Sequence, residues 1–265
     1  VSFGHGTTNA VDEAAWLILH ALGLPVHDLN SHLDDEADAE KARKARALVA
    51  KRIRTRKPAA YLLNEAWLGP DRFYVDERVI VPRSFIAELL RAELPIAPAT
   101  ILDLCTGSGC LAILAARRFP EARVDAADLS SDALEVARRN VRQYRLSRRV
   151  RLVKSDLFAA LQGRKYDLII SNPPYVRASS MRTLPEEFRN EPRMALASGS
   201  DGLDHTRAIL REAPSHLTPR GRLVVEIGHN RKALEKAFPS IRFEWPRTSG
   251  GTRFVFSLRR GDLVA

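Results

Sequence analysis

From Thr100 onward the chain alternates short apolar runs with stretches of helical period, and that alternation admits few folds. Residues 101–104, 123–128, 150–153, 166–170, 222–227, 241–245 and 254–258 read as strands. Residues 110–119, 132–144, 202–217 and 231–238 read as helices between or beside them. Strands that alternate with helices of this length predict an α/β fold, a doubly wound sheet covered on both faces.

The 165 positions from residue 101 do not account for the whole chain of 265. Residues 9–24 predict an amphipathic helix, with Ala14, Leu17, Ile18, Ala21 and Leu22 at helical spacing and Leu24-Pro25 ending it. A basic run over 41–57 predicts a second helix with an apolar face of Ala47, Leu48, Ala50 and Ile53. A β-hairpin is expected from 73–75 and 79–81 around Asp76-Glu77-Arg78. A helix capped by Ser84 is expected to run to about residue 94. The domain reading is therefore a helical part over 1–70, a hairpin linker over 71–84 and an α/β domain over 85–265.

The fourth predicted strand of the α/β part ends in Asn172-Pro173-Pro174-Tyr175. Proline lacks the N–H a ladder needs, so the strand stops there. The stop leaves a side-chain amide, two proline carbonyls and an aromatic ring at the mouth of the sheet. Such a set accepts the hydrogens of a planar group bearing an NH2 and packs a ring on its face.

Three more polar signals fall at predicted strand ends, where open α/β sheets bind ligands. Asp103 precedes a loop containing Gly107 and Gly109, whose freedom lets backbone turn tightly beside a ligand. Gly-x-Gly alone also matches a dinucleotide fingerprint, with Asp128 about twenty residues on. A carboxylate beside the loop repels a pyrophosphate but suits a cation, and S-adenosylmethionine carries a sulfonium and an ammonium. Asp128 suits a ribose diol. Asp156 suits an adenine amino group, with the Leu157 N–H donating to the ring. Each aspartate could instead cap a turn or face solvent.

The net charge of +10 favours an acidic partner such as RNA or a ribonucleoprotein, or reflects dispersed basic charge. The helix over 41–57 is open to both readings: a contact with ribosomal RNA, or a solvated face. The two cysteines, Cys105 and Cys110, read as small buried fillers of a reducing compartment, and no metal site is expected. The seven histidines are scattered, and none reads as ligand or base. No apolar run approaches the ~20 residues that cross a bilayer. Residues 1–9 do not resemble a signal peptide. The chain begins at Val1, so its native start is expected to lie upstream. A cytoplasmic location is expected.

Asp103-Leu-Cys-Thr-Gly-Ser-Gly109 together with Asn172-Pro-Pro-Tyr175 resembles the HemK-type glutamine methyltransferases, over essentially the whole chain. The resemblance implies a class I S-adenosylmethionine-dependent enzyme with a helical N-terminal substrate-recognition domain. It implies methylation of the side-chain amide nitrogen of a glutamine in a translation protein. Phe3-Gly-His-Gly-Thr7, Val81-Pro-Arg-Ser84 and Cys105-Thr-Gly-Ser-Gly-Cys110 are similar to the branch that acts on the third protein of the large ribosomal subunit. The release-factor branch usually carries glycine where Cys105 stands. On this resemblance Asn172, Pro173 and Tyr175 are catalytic. Asp103, Thr106, Gly107, Gly109, Asp128, Asp156, Leu157 and Asn172 hold the cofactor. Asn172, Pro173, Pro174, Tyr175, Glu191 and Pro192 touch the substrate. Rival readings are release-factor glutamine methylation, methylation of an adenine amine in nucleic acid, a nicotinamide dehydrogenase and a non-catalytic assembly factor.

Overall fold

The computed structural model describes residues 1–26, 28–92 and 97–263. His27 and the expected end of the helix near residue 94 lie outside the described residues. Six strands form one sheet in the order β5-β4-β3-β6-β7-β8: β3 (Thr100–Leu104), β4 (Arg123–Asp128), β5 (Val150–Lys154), β6 (Tyr166–Ser171), β7 (Leu217–Glu226) and β8 (Val255–Arg259). All neighbours run parallel except β8, which is antiparallel to β7. The order reverses between β3 and β6, whose registered residues include Leu104 and Ser171. A crevice therefore opens at the carboxyl ends of these two strands.

Side chains alternate across the sheet as strand geometry requires. Ile101, Val124, Ala126, Leu168 and Ile170 face the layer of α4 (Ile86–Arg91), α5 (Cys110–Arg118) and α6 (Ser131–Gln143). Leu102, Leu104, Ala127, Ile169 and Leu223 face α7 (Asp204–His216) and α8 (Arg231–Ala237). Each fully buried Leu or Ile contributes about 1.5–3 kcal/mol by leaving water.

The N-terminal part is helical, with α1 (Ala10–Leu22) and α2 (Ala39–Thr55). The Asn9 side chain caps α1 by accepting from Asp12 N–H, and Gly23 at φ 75° ends it. Asp38 caps α2. A third core joins these helices to the sheet domain: Trp16, Leu17, Tyr61, Val75 and Val79 pack with Ala133 and Val136 of α6.

Three expectations need correction. The hairpin lies earlier, as β1 (Ala66–Leu68) and β2 (Asp71–Phe73), and so straddles the expected linker boundary. Its turn is Gly69-Pro70, with Gly69 at φ 61°. Residues 79–81 form no strand, because Asp76 closes a local turn by accepting from the Arg78 N–H, and Val75, Val79 and Val81 are core residues. A short α3 (Ala59–Leu63) precedes the hairpin. Residues 241–245 form no strand either. Only Glu244 pairs, with Ser257, while Phe243 and Trp245 pack edge-on against Phe256. The helix after Ser84 starts at Ile86, whose N–H the Ser84 hydroxyl accepts at 3.2 Å.

Candidate active site

Three alternate left-handed residues fold the loop between β3 and α5: Cys105 (φ 58°), Gly107 (φ 54°) and Gly109 (φ 79°). A Cβ on Gly107 would meet nothing within 4 Å, and this residue lines the cleft at the carboxyl ends of the strands. A Cβ on Gly109 would stand 3.1 Å from the Ala137 Cβ, so Gly109 lets α5 and α6 pack closely and does not reach the cleft. Cys105 occupies a conformation that suits glycine, at a cost of about 1–2 kcal/mol. It is half-buried and lines the cleft, whereas Cys110 is buried as expected. Burial pushes both thiols up, so neither is a ready nucleophile.

Asp103 is sealed beneath this loop, with no exposed surface. Its Oδ2 accepts from the Thr106 hydroxyl at 2.6 Å and from the Ala112 N–H at 3.0 Å. It therefore caps the first turn of α5, and Thr106 serves it rather than the cleft. Oδ1 is buried without a partner. Burial pushes the Asp103 carboxyl up to about 7, against the pull of Thr106 and Ala112. Its influence on a ligand is through its field, not through contact.

Asp128, at the end of β4, lines the cleft. Its Oδ2 accepts from the Gly107 N–H at 2.8 Å and its Oδ1 from the Ser130 N–H at 2.9 Å. Each oxygen keeps a lone pair, which fits two hydroxyls of a diol. Burial raises its carboxyl, and these N–H groups oppose the rise. Asp156 and Leu157 follow β5 on the same wall, Asp156 exposed and Leu157 at φ 42°. The Ser155 hydroxyl holds this turn by donating to the Leu157 carbonyl at 2.7 Å.

Asn172 and Pro174 line the adjoining wall. Asn172 follows Ser171, whose hydroxyl donates to the Leu104 carbonyl at 2.8 Å and ties β6 to β3 at the cleft. The Asn172 Oδ1 is buried and accepts no hydrogen bond. Among the described residues no donor reaches the Pro173 carbonyl either. Such an orphaned acceptor costs about 1–3 kcal/mol unless a ligand satisfies it. The Tyr175 carbonyl accepts from Asn230 Nδ2 at 2.8 Å. Its ring lies against Gly228, where a Cβ would come within 2.7 Å of Cε2. The ring packs against Gly228, and Tyr175 is not among the residues that line the cleft. Burial, with Glu226 nearby, pushes its hydroxyl up to about 12.

Glu191 is not a cleft residue. Its side chain is fully buried and accepts from Val81 N–H at 2.9 Å and from both terminal nitrogens of Arg83 at 2.6 Å. Burial would raise its carboxyl, but Arg83 and His5 outweigh that and hold it at about 2. Its neighbours Pro192, Met194 and Ala195 do line the cleft, so Glu191 fixes that wall from behind.

His205, at the start of α7, was not singled out by sequence, yet it lines the cleft. Its Nδ1 lies 2.8 Å from the Ser198 Oγ. Ser198 is buried, and its hydroxyl has no other acceptor among the described residues. Ser198 therefore donates to Nδ1, and the neutral ring carries its hydrogen on Nε2. Burial lowers the ring's pKa and favours this neutral form. A lone histidine opening a helix gives no sequence signal of such a role.

One cleft at the carboxyl ends of the strands thus gathers Gly107, Asp128, Asp156, Leu157 and Asn172, where open α/β sheets bind ligands. Residues 84–243 match the methyltransferase small domain family, and residues 4–63 match the PrmC N-terminal domain. The ribosomal protein uL3 glutamine methyltransferase of Neisseria meningitidis serogroup B is 53% identical, over 99% of this chain and 88% of its own. That of Bordetella pertussis is 50% identical, over 99% and 90%. The chain belongs to the family of ribosomal protein uL3 glutamine methyltransferases. Among solved structures, a methyltransferase from Pyrococcus furiosus matches with a TM-score of 0.50 and 21% identity, over 83% of this chain and 98% of that one. The hMettl16 catalytic domain, solved with an RNA hairpin of the MAT2A 3'UTR, matches at 0.53 and 14%, over 84% and 81%. At these identities the likeness concerns the fold alone.

Proposed function

We propose that this chain transfers a methyl group from S-adenosylmethionine to the side-chain amide nitrogen of a glutamine in ribosomal protein uL3. The observation that carries the reading is the buried, unpartnered Asn172 Oδ1 beside the cleft. A carboxamide NH2 supplies the donor it lacks. A glutamate carboxylate would set charge against two acceptors.

When bound, the cofactor supplies an electrophilic methyl on a sulfonium. Gly107, Asp128, Asp156 and Leu157 form the cradle for it, and Asp103 beneath the loop favours its positive charge when that carboxyl is ionised. Asn172 Oδ1 and the Pro173 carbonyl accept the two hydrogens of the substrate amide and aim its nitrogen. Orientation of this kind can supply ~7–11 kcal/mol of a barrier. Tyr175 braces the turn through Gly228 and Asn230. The amide proton leaves to water, so no strong base is required.

The helical part before residue 70 is assigned to substrate recognition, and the reaction to the cytoplasm. Among the described residues no helix is long and apolar enough to cross a membrane. The α2 helix offers ribosomal RNA fewer cations than its sequence suggests. Lys44 and Arg52 of the helix, with Arg56 and Lys57 just beyond it, are paired with Glu40, Glu13, Glu187 and Glu77, which leaves Lys41, Arg43, Arg46, Lys51 and Arg54 without an acidic partner among the described residues.

The test is incubation with uL3 and cofactor labelled in its methyl group, read by mass spectrometry. One methyl on one glutamine is expected, with none when that glutamine is changed to glutamate. Label in nucleic acid would favour adenine methylation instead.

A further inference from the structure

The end of the sheet opposite the cleft carries a second built surface. Thr100, Arg123, Val150 and Tyr166, the first residues of four adjacent strands, border a groove there. Strands of five or six residues put this groove about 17–20 Å from the cleft. Its walls carry Arg123, Arg148, Arg149, Arg151, Arg164 and Lys165, against the single acid Asp125. The chain as a whole has 42 cations to 32 acids, so this local excess is not a sample of the general composition.

The cations are organised. Asp125 accepts from Arg151 Nε and a terminal nitrogen at 2.8 and 2.9 Å, from Arg164 at 3.2 Å and from the Tyr166 hydroxyl at 2.7 Å. Two guanidiniums are thereby held in place. Arg149 donates to the Ala116 and Pro120 carbonyls at the end of α5, at 2.6 and 2.8 Å. Arg123 and Arg148 are exposed and have no acidic partner among the described residues. The groove's apolar side chains, Val124 and Val150, are buried. A protein interface draws its affinity from apolar and aromatic anchors, which this groove does not expose. Fixed arginines without an apolar centre suit a chain of phosphates.

We propose that this groove binds the phosphodiester backbone of RNA. The inference rests on the ribosomal reading only for its biological setting; the site itself stands apart from the catalytic cleft. An RNA-bound ribosomal protein would thus be held at one end of the sheet and modified at the other.

The experiment compares the full chain with Arg123→Ala/Arg148→Ala, and with Arg43→Ala/Arg54→Ala on α2 as control. A fluorescein-labelled 20-nucleotide single-stranded RNA is titrated at 50–200 mM KCl and followed by anisotropy. Each phosphate contact adds roughly 0.7 to the salt slope. The groove pair should therefore flatten it by about 1.4 and weaken binding roughly twenty-fold at 0.1 M salt. The control pair should change it little, and methyl transfer to free uL3 should be unchanged in the groove pair. Three results overturn the proposal: no RNA binding at 50 mM salt, no loss in the groove pair, or a loss confined to the α2 pair. Weakened binding of free uL3 with unaltered RNA binding overturns it too, and makes the partner a protein. Failure of methyl transfer in the unmodified chain would strike the catalytic reading and leave this one standing.

Discussion

Arg83 and Glu191 meet in a two-point ion pair, 2.6 Å at each contact, across 108 positions of sequence. It joins the segment that leads into α4 to the wall bearing Pro192, Met194 and Ala195. Removing one member of a buried pair costs about 3–5 kcal/mol, because the other is left uncompensated. Arg83 keeps 23% of its side chain exposed, which argues for the lower end. Glu191→Ala should therefore lower the melting temperature at pH 7 by roughly 6–12 °C. The Glu191 carboxyl is depressed to about 2, so its stabilisation is present above the ordinary carboxylate value and lost as pH falls through 2. The gap between variant and unmodified protein should accordingly shrink in melts taken toward pH 2. An equal gap at pH 7 and pH 2 would refute the ionic account.

Asn172 separates orientation from cofactor binding. Asn172→Ala removes the orphaned Oδ1 but leaves Gly107, Asp128 and Asp156 in place. Turnover should fall by roughly 10²-fold or more, as when a preorganised polar partner is deleted. Cofactor affinity, measured by calorimetry, should change by less than about three-fold, or ~0.6 kcal/mol. A variant with near-normal turnover would remove Asn172 from the mechanism. The same acceptor pair should make glutamate a worse substrate than glutamine by ~10⁴ or more.

Asp103 exchanges stability for ligand charge. Its carboxyl is raised from 3.8 to about 7, so the folded protein holds a proton there that the unfolded chain releases. The stability linked to that proton is complete below 3.8 and is lost as pH rises through 7. Above pH 7 the fold carries a buried charge with one oxygen unpartnered. Asp103→Asn keeps an acceptor for Thr106 and Ala112 and removes the charge. It should raise the melting temperature by several degrees at pH 8 and by less at pH 5. Cofactor affinity at pH 8 should fall about ten-fold, or ~1.4 kcal/mol. A variant that melts lower at pH 8 would contradict the desolvation argument.

Strand ends made much of this cleft readable in advance. Asp128, Asp156 and Asn172 each close an apolar run, and parallel strands bring such ends together without further information. The parts that could not be read depend on distant partners. Gly109 looks like a ligand-loop glycine until Ala137, on another helix, is seen against it. Glu191 lies in a motif-like run, yet Arg83 and Val81 decide its role. The displaced hairpin is different, because its signal was local. Residues 66–68 and 73–75 are equally β-like, and Gly69-Pro70 marked the turn between the first and its partner.

Gly228 tests what Tyr175 does from where its ring lies. At φ 55° a non-glycine residue is strained by about 1–2 kcal/mol, whatever the space around it. Gly228→Ala adds to this a Cβ within 2.7 Å of the Tyr175 ring, which must move. That movement pulls on the turn carrying Asn172 and Pro173, so turnover should drop more than cofactor affinity. In a Tyr175→Ala background the ring is gone and only the backbone strain remains. The two substitutions should then be coupled, by about 0.5–3 kcal/mol in stability and in the same sense in turnover. A double-mutant cycle in melting and in turnover measures both. Simple additivity would mean that the ring does not brace the turn, and that Tyr175 acts on the substrate directly.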